Sequence, residues 1–285
     1  MISATHLEKH FRKQPVLTDI TFELPGSGIH ALLGRNGVGK STLLAMIAGQ
    51  LKPSGGELTV FGEQPFDNAS VMDRVCFTGV DTAYPASWSL ADIVAAAAKR
   101  YPHWSQDLAD TLMRDFALDE HAPTIYSKCS RGQRAMIGIV VGLASGAELT
   151  LLDEPYVGLD VHNTSVFYRH LLELAESQRC FMMATHHIED AAKILDSALV
   201  LGRQGSVDKH LLAEDADGYV IATGDFDEPA GAIAYRRHAS AARAILPAPT
   251  AAELGLRGQA ADLGDVLEAI LEAVSYTHLT LPTKA

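Results

Sequence analysis

The hydrophobic pattern alternates between short apolar runs and longer amphipathic stretches. Three nearly all-apolar runs, at 29–33, 149–152 and 181–184, have the length and composition of buried strands. The stretch at 163–176 carries apolar residues at helical spacing and stands between the last two runs. Because strands and helices alternate in this way, the sequence predicts an α/β fold with a mostly parallel sheet.

Two parts of the chain depart from that alternation. Residues 7–24 show partial two-residue alternation, which predicts an antiparallel β part at the N-terminus. Residues 81–147 contain several helical patterns, one of which starts at Ser89 with Asp92 three positions later. We interpret this second part as a helical insert within an α/β domain over 1–210.

The pattern weakens towards the C-terminus, where 211–273 is interpreted as a small appendage. Residues 219–222 are typical of a strand, whereas 240–246 and 262–272 are typical of helices. Residues 274–285 continue no periodicity and resemble a translated sequencing adapter, so we expect a non-native tail there.

Composition narrows the class of protein. Of 285 residues, 47% are hydrophobic and 20% are charged, as in an ordinary globular protein, and the net charge of −12 argues against a large nucleic-acid surface. The three cysteines are widely spaced, which predicts neither a disulfide framework nor a zinc site. The first residues lack the apolar run of a signal peptide, and the apolar stretch 135–147 is too short to span a bilayer. Any membrane role is therefore expected to come through a partner.

A glycine-rich segment follows the first apolar run directly. Its residues are Gly34, Arg35, Asn36, Gly37, Val38, Gly39, Lys40, Ser41 and Thr42. They match the P-loop pattern, in which glycines let backbone N–H groups point at phosphate oxygens. Lys40 supplies a positive charge for the β- and γ-phosphates, and the Ser41 hydroxyl can bind Mg²⁺. The alternative is a glycine-rich turn that matches the pattern by chance.

Two carboxylates end the second apolar run. Asp153 and Glu154 stand at the carboxyl end of a predicted parallel strand, where such sheets bind ligands. Asp153 can hold Mg²⁺ there, directly or through water, and Glu154 stands where a general base orients an attacking water. Alone the pattern is weak, since a strand can end in two carboxylates without any chemistry, but it becomes strong downstream of a P-loop.

A second phosphate site is indicated just before the apolar stretch 135–147. Ser130, Arg131, Gly132 and Gln133 place a serine and a glycine at a predicted helix start, where the helix dipole attracts anions. A helix N-cap with no ligand accounts for the same residues.

These motifs occur in the order and spacing of one family. Over 1–210 the chain resembles the ATP-binding subunit of ABC transporters, which has a P-loop NTPase fold. Residues 129–133 match the family's signature, 158–160 match its D-loop, and Thr185 and His186 match its switch-histidine motif.

The resemblance implies an ATP site, with Mg²⁺, shared by two nucleotide-binding domains in a homodimer or a heterodimer. Each ATP would lie between the P-loop of one copy and the signature of the other. Ser130, Gly132 and Gln133 would then touch the γ-phosphate across the interface. Asp160 would link the two sites, and His186 would contact the γ-phosphate.

For two of these residues a purely structural role competes. Phe11 sits where the family places an aromatic that stacks on adenine, but it can also be a core aromatic. His186 can likewise be a core histidine with satisfied hydrogen bonds.

The resemblance also implies a membrane permease as partner, no nucleic acid, and a cytoplasmic location, peripheral on the inner face of the cell membrane. Tyr84, Pro85 and Trp88 are candidates for the surface that receives the permease, or they pack within the insert. The short insert, the signature and the run at 154–160 resemble bacterial ATPases that serve ABC-2-type exporters.

Two departures from the family pattern bear on function. In the signature, Cys129 and Arg131 replace the usual leucine and first glycine, and Arg131 either adds charge near phosphate or points to solvent. The family's Q-loop glutamine is missing, since Val80 stands in its place, and the adjacent Asp81 is the candidate substitute as a metal ligand.

Three functions stay open on the sequence. The first is the ATP-hydrolysing subunit of an ABC exporter, which closes as a dimer on ATP and reopens after hydrolysis. The second is an ABC-type ATPase that acts on nucleic acid or ribosomes, which the single P-loop and the acidic charge disfavour. The third is a binding subunit with weak or no hydrolysis, to which the missing glutamine and the altered signature point.

Overall fold

The computed structural model describes residues 1–79, 81–186, 191–202, 205–238 and 241–276. Its strands are β1 (Ile2–Phe11), β2 (Gln14–Leu24), β3 (Gly28–Leu33), β4 (Gly55–Val60), β5 (Val75–Gly79), β6 (Leu149–Asp153), β7 (Cys180–Thr185), β8 (Ser197–Leu201), β9 (Val207–Leu212), β10 (Tyr219–Gly224), β11 (Ala234–His238), β12 (Ala241–Pro247) and β13 (Gly258–Ala260). Its helices are α1 (Lys40–Ile47), α2 (Ala69–Met72), α3 (Leu90–Arg100), α4 (Gln106–Asp115), α5 (Arg131–Ala144), α6 (Val161–Ala175), α7 (Ala248–Glu253) and α8 (Leu263–Tyr276).

A six-stranded sheet stands at the centre of the fold. Its strand order is β5-β6-β7-β3-β8-β9, in which the first five strands are parallel and β9 runs antiparallel to β8. Its inner strands are apolar on both faces because both faces are covered. The predicted α/β fold with a mostly parallel sheet is confirmed.

An antiparallel sheet at the N-terminus, with strand order β2-β1-β4, covers one face of the central sheet. Leu17 of β2, Leu44 of α1 and Leu32 of β3 share one buried core there. The sheet confirms the antiparallel β part that the sequence predicts at the N-terminus. The core also holds α1, the helix that follows the P-loop, against both sheets.

The helical insert covers the other face. Helix α3 begins as predicted, because the Ser89 side chain accepts from the Asp92 N–H while the Asp92 carboxylate accepts from the Ser89 N–H. Apolar side chains of α3, α4 and α5 pack in a second core with Ile29 and Phe181 of the central sheet. This packing fixes the position of α5, whose first residues form the signature, relative to the sheet.

A four-stranded antiparallel sheet, ordered β11-β12-β10-β13, forms most of the C-terminal region. The strand expected at 219–222 and the helix expected at 262–272 are both present, as β10 and α8. Residues Leu263, Val266 and Leu267 of α8 belong to the same core as the helical insert. Strand β9 runs across residue 210, so the boundary drawn there from sequence stays a prediction.

The helix predicted at 240–246 is wrong, since 241–247 is strand β12. The alternate residues Ala242, Ala244 and Leu246 are buried, and β10 and β11 supply backbone hydrogen bonds on both sides. Tertiary pairing therefore overrides the helix propensity of an alanine-rich segment.

Parts of two further sequence predictions lie outside the described residues. The sequence also predicts a helix over 188–195; its first residues, 188–190, lie outside the described residues, and Ala192–Ile194 forms a single 3₁₀ turn. Of the expected tail, 277–285 lie outside the described residues, and α8 ends at Tyr276. Within the described ranges, no helix is both long enough and apolar enough to cross a bilayer.

Arg179 joins the insert to the central sheet at the start of β7. Its guanidinium donates to the carbonyl oxygens of Gly142 at 3.3 Å, Leu143 at 2.8 Å and Ala147 at 3.0 Å, and to the Thr150 hydroxyl at 3.0 Å. These carbonyls lie at the C-terminal end of α5, where a helix leaves C=O groups without internal partners and a cation is favoured. Burial lowers the pKa of Arg179 to about 10, so the side chain stays charged at neutral pH.

Replacement of Arg179 by methionine keeps the aliphatic stem and removes these hydrogen bonds. We expect the free energy of unfolding to fall by about 2–4 kcal/mol, because buried carbonyls lose a charged donor. Arg100→Met is the matched control, since it removes an exposed ion pair with Asp73 that is worth at most about 1 kcal/mol. Chemical denaturation measures both variants, and equal losses would contradict the role given to Arg179.

Candidate functional site

The carboxyl ends of β3, β6 and β7 bring three predicted motifs to one edge of the central sheet. Leu33 of β3 pairs with Thr185 of β7, and Ala184 pairs with Asp153 of β6. A cavity of about 280 Å³ opens at this edge. It is lined by Val16, Asn36, Gly37, Gly39, Lys40, Ser41, Thr42, Asp153 and Glu154. The P-loop and both carboxylates therefore share one cavity, as the sequence predicts.

Glycine is required where the P-loop meets α1. Gly39 has a φ of 113°, and a Cβ at this position would lie 2.6 Å from Cδ2 of Leu17. Lys40 begins α1, and no side chain in the described part of the protein caps its first turn. The N–H groups and the dipole at this end of α1 therefore favour an anion in the cavity.

Lys40 is 6% exposed and is held by the backbone of its own loop. Its Nζ donates to the Gly34 carbonyl at 2.7 Å and to the Arg35 carbonyl at 3.4 Å, and lies 3.6 Å from Oε1 of Glu154. Burial lowers the pKa of Lys40, and the charges of Glu154 and Asp153 oppose that shift. An entering phosphate would meet a cation that the loop already positions.

Ser41 and Asp153 supply neighbouring oxygen atoms on the cavity wall. The pKa of Asp153 is raised by burial, while a hydrogen bond from the Ser41 hydroxyl opposes the shift. A hydroxyl beside a carboxylate is a donor set that suits Mg²⁺, which takes few protein ligands when phosphates and water complete its shell. The residues present therefore fit the predicted magnesium site.

Glu154 and His186 form the polar pair at the ends of β6 and β7. The Glu154 N–H donates to the Ala184 carbonyl at 2.9 Å, and Glu154 itself turns out of the strand with a φ of 48°. Nδ1 of His186 lies 2.9 Å from Oε1 and 3.0 Å from Oε2 of Glu154. The His186 side chain is 36% exposed, so it lies outside the core and can meet a ligand.

The signature and the D-loop form a second group of predicted residues, away from the cavity lining. Ser130 caps α5 and Gln133 caps it in return, by reciprocal hydrogen bonds to the two backbone N–H groups. A Cβ on Gly132 would lie 2.7 Å from the Gly158 carbonyl, so the two loops are in close contact. Asp160 caps α6 by accepting from the Asn163 N–H at 2.8 Å. The N-cap role that the sequence left open is thus present for Ser130.

Three other candidate residues do not line the cavity. Phe11, at the end of β1, is 47% exposed with the Lys9 ammonium 5.2 Å from its ring centre, so it is not a core aromatic. Asp81 is exposed, and its charge contributes to the raised pKa of Asp153. Arg131 is exposed at the start of α5. Val80, in the place of the Q-loop glutamine, lies outside the described residues.

Two residues at the site are not singled out by any of the sequence motifs. Val16 lines the cavity, although in sequence it is one apolar residue of a strand. Tyr156 shares a hydrogen bond with Thr185, the neighbour of His186. Both contacts join segments that are far apart in sequence, so only the fold shows them.

A P-loop at the carboxyl edge of a parallel sheet, with two carboxylates at the end of a neighbouring strand, defines a P-loop nucleoside triphosphatase. The family model described as ABC transporter matches residues 17–157. The zinc uptake system ATP-binding protein ZurA of Listeria innocua is 30% identical over 199 residues, which is 66% of this chain and 76% of that protein. The chain belongs to the ABC transporter family and is an ATP-binding ATPase subunit of that family.

Other relatives and solved structures are similar over the same part of the chain. The manganese transport system ATP-binding protein MntB of Bacillus subtilis is 26% identical, covering 67% of this chain and 79% of that protein. The solved structure of an ATP-binding subunit of an ABC transporter matches with a TM-score of 0.67 and 24% identity, over 76% of this chain and 91% of that one. A dimeric bacterial ABC transporter cassette matches with a TM-score of 0.65 and 19% identity, over 74% and 98% of the two chains.

Replacement of Lys40 by methionine tests whether the cavity binds ATP. We expect the Kd for ATP to rise at least tenfold, because phosphate loses the buried cation that faces it. Lys52→Met is the control, since its side chain is exposed and lies outside the cavity lining. Titration with a fluorescent ATP analogue measures both variants. Unchanged affinity in the Lys40 variant would place ATP elsewhere.

Proposed function

We propose that this chain hydrolyses ATP as the motor subunit of an ABC exporter, with Glu154 as the general base. The observation that carries the proposal is the position of the Glu154 carboxylate. It is held by His186 on both oxygens while it lies 3.6 Å from the P-loop lysine. A carboxylate in this place can orient a water molecule towards the γ-phosphate.

The positions of Lys40 and Glu154 suggest how the site responds to ATP. The Lys40 ammonium lies within ion-pair distance of Glu154. Phosphate oxygens compete for that ammonium, so ATP binding leaves Glu154 free to accept a proton from water. His186 keeps the carboxylate in place through Nδ1, and when both ring nitrogens are protonated its Nε2 can donate to the γ-phosphate, which is the contact that the resemblance implies.

Mg²⁺ is part of the proposal as a cofactor. Ser41 and Asp153 are the residues that would hold it, and the metal would supply charge neutralisation for the phosphates. Asp81 stays a weaker candidate ligand, since it is exposed and lies outside the cavity lining.

The separation of the two groups of site residues supports a dimer. Ser130, Gly132, Gln133 and Asp160 lie together but do not line the P-loop cavity of their own chain. The start of α5 offers a helix dipole and a serine hydroxyl to a phosphate. We infer that these residues complete the ATP site of a second nucleotide-binding domain, and one solved relative of this fold is described as dimeric.

A permease is the proposed partner at the helical insert. Pro85 and Trp88 are exposed there, whereas Tyr84 packs edge to face on Tyr126 with ring centres 5.4 Å apart. An exposed tryptophan beside a proline is a suitable anchor for a helix of a membrane protein. The chain would then act at the inner face of the membrane through this contact.

Export is the proposed direction of transport. It is supported by the resemblance of the insert, the signature and the run at 154–160 to ATPases of ABC-2-type exporters. Import is the competing direction, since the zinc uptake protein of Listeria innocua is named for uptake, whereas the name of the bacitracin transport ATP-binding protein BcrA of Bacillus licheniformis gives no direction. Transport by vesicles that contain this chain with its permease decides between them, since an exporter fills inside-out vesicles when ATP is added outside.

A weakly hydrolysing subunit is the second candidate function. Arg131 in the signature and the missing Q-loop glutamine favour it, because both change groups that face phosphate in the resemblance. Steady-state ATPase rates of the isolated chain and of its complex with the permease separate the two candidates.

Glu154→Gln is the direct test of the base. Glutamine keeps the shape of the side chain and one acceptor oxygen for His186 but cannot take a proton. We expect ATP affinity to stay within about threefold and kcat to fall at least a hundredfold, which is the usual scale of general-base catalysis. Phosphate release and equilibrium ATP binding measure the two effects. Near-normal turnover in this variant would remove Glu154 from the role of base.

A mixing experiment tests the shared site. Lys40→Met disables the P-loop and Ser130→Arg disables the signature, so each variant alone should be inactive. In a mixed dimer that contains one copy of each variant, one of the two ATP sites combines an intact P-loop with an intact signature. We therefore expect the mixture to regain up to about half the wild-type rate per mixed dimer. If the mixture is as inactive as each variant alone, the ATP site is not built from residues of two copies.

A further inference from the structure

We propose that Tyr156 is a positioning residue for ATP hydrolysis, since its hydroxyl holds the end of β7 and thereby keeps His186 in place on Glu154. The inference rests on the roles given to Glu154 and His186 in the proposed function. The Tyr156 hydroxyl shares a hydrogen bond with Oγ1 of Thr185, the residue directly before His186. Thr185 is fully buried and Tyr156 is half-buried, so this bond lies partly below the surface.

Side chains hold the end of β7 and the residue that follows it. Consecutive residues of a strand project to opposite faces, so Phe181, Met183 and Thr185 share one face of β7. Phe181 and Met183 belong to the core under the helical insert. His186 follows directly after the strand and contacts the Glu154 carboxylate. The tyrosine hydroxyl therefore holds the last residue of the strand, and the carboxylate contacts the next residue.

The backbone ladder between β6 and β7 ends here, while Thr185 still pairs with Leu33 of β3 on the other side of β7. The hydrogen bond from the Glu154 N–H to the Ala184 carbonyl extends the pairing of β6 with β7 by one residue. Glu154 then takes a φ of 48° and turns the chain away from the strand. Beyond this turn, the contact of Tyr156 with Thr185 and that of Glu154 with His186 connect the two segments.

The ring of Tyr156 gives its hydroxyl a rigid support. It packs against the Tyr168 ring of α6 with centres 6.2 Å apart, and it borders the core under the insert together with Leu159. Because packing fixes the ring, the hydroxyl locates Thr185 rather than following it. The same residue lies between Glu154 and the D-loop, so it ties the position of His186 to the segment that leads to Asp160.

Tyr156 does not line the nucleotide cavity. It should therefore act on the geometry of the reacting groups and not on ATP affinity. A misplaced carboxylate orients water poorly even when the substrate is bound, so the loss should appear in kcat.

The experiment compares Tyr156→Phe, Thr185→Val and their double variant. Each single change removes one partner of the hydrogen bond and keeps the shape of the side chain. We expect each to lower kcat about fivefold to tenfold, the rate equivalent of one ordinary hydrogen bond, with the KM for ATP within twofold of wild type. The double variant should match the singles, because both remove the same interaction. Effects that multiply, or a normal kcat in Tyr156→Phe, would overturn the proposal.

Two controls separate positioning from loss of structure. Thr185→Ser keeps the hydroxyl and should restore at least half of the wild-type kcat, which a role of the methyl group alone would not allow. Tyr235→Phe removes a tyrosine hydroxyl that donates to the Phe226 carbonyl at 3.0 Å in the C-terminal sheet, and it should leave kcat unchanged. Thermal unfolding of all variants reports any general loss of stability.

Failure of this inference can be told apart from failure of the proposed function. His186→Ala measured alongside should lose most of its turnover if His186 has the proposed role. Normal turnover in His186→Ala would refute the proposed function itself. Loss in His186→Ala together with normal kcat in Tyr156→Phe would refute only the positioning role of the tyrosine.

Discussion

The parallel pairing of β6, β7 and β3 is the constraint on which the site depends. Parallel strands end at the same edge, so the P-loop after β3, the carboxylates at the end of β6 and the histidine after β7 meet there. Two cores hold this edge from opposite faces, one shared with the N-terminal sheet and one with the helical insert. A shift of one residue in the register would turn Asp153 and Thr185 to the wrong faces.

Most of the fold and most of the site follow from local sequence signals. The P-loop, the apolar strand with Asp153 and Glu154, and the cap at Ser130 each depend on a few consecutive residues, and the structure has all three in the expected places. The helix expected at 240–246 failed because strand pairing with distant segments decides the state of an alanine-rich run. The position of Val16 in the cavity wall and the hydrogen bond of Tyr156 with Thr185 were not predictable from sequence. The pattern within one segment does not show which distant segments will pack against it.

The C-terminal region and the insert share one core with the central sheet of the α/β domain. Side chains of α8 pack with the same apolar cluster as α5, and Arg179 bonds the end of α5 to the strand that leads to His186. A movement of α5 when nucleotide binds would therefore displace both the insert and the C-terminal sheet. Because the core is shared, we infer that the C-terminal region acts together with the α/β domain and not as an independent unit.

In the proposed dimer, this chain carries two halves of an ATP site that only a second copy or partner domain can join. Amide hydrogen exchange with a non-hydrolysable ATP analogue is the measurement that distinguishes this arrangement. We expect protection of 34–42 at all protein concentrations, and protection of 130–133 that appears only as the protein concentration rises. Protection of 130–133 that does not depend on concentration, or no protection at 34–42, would show that the site is not shared.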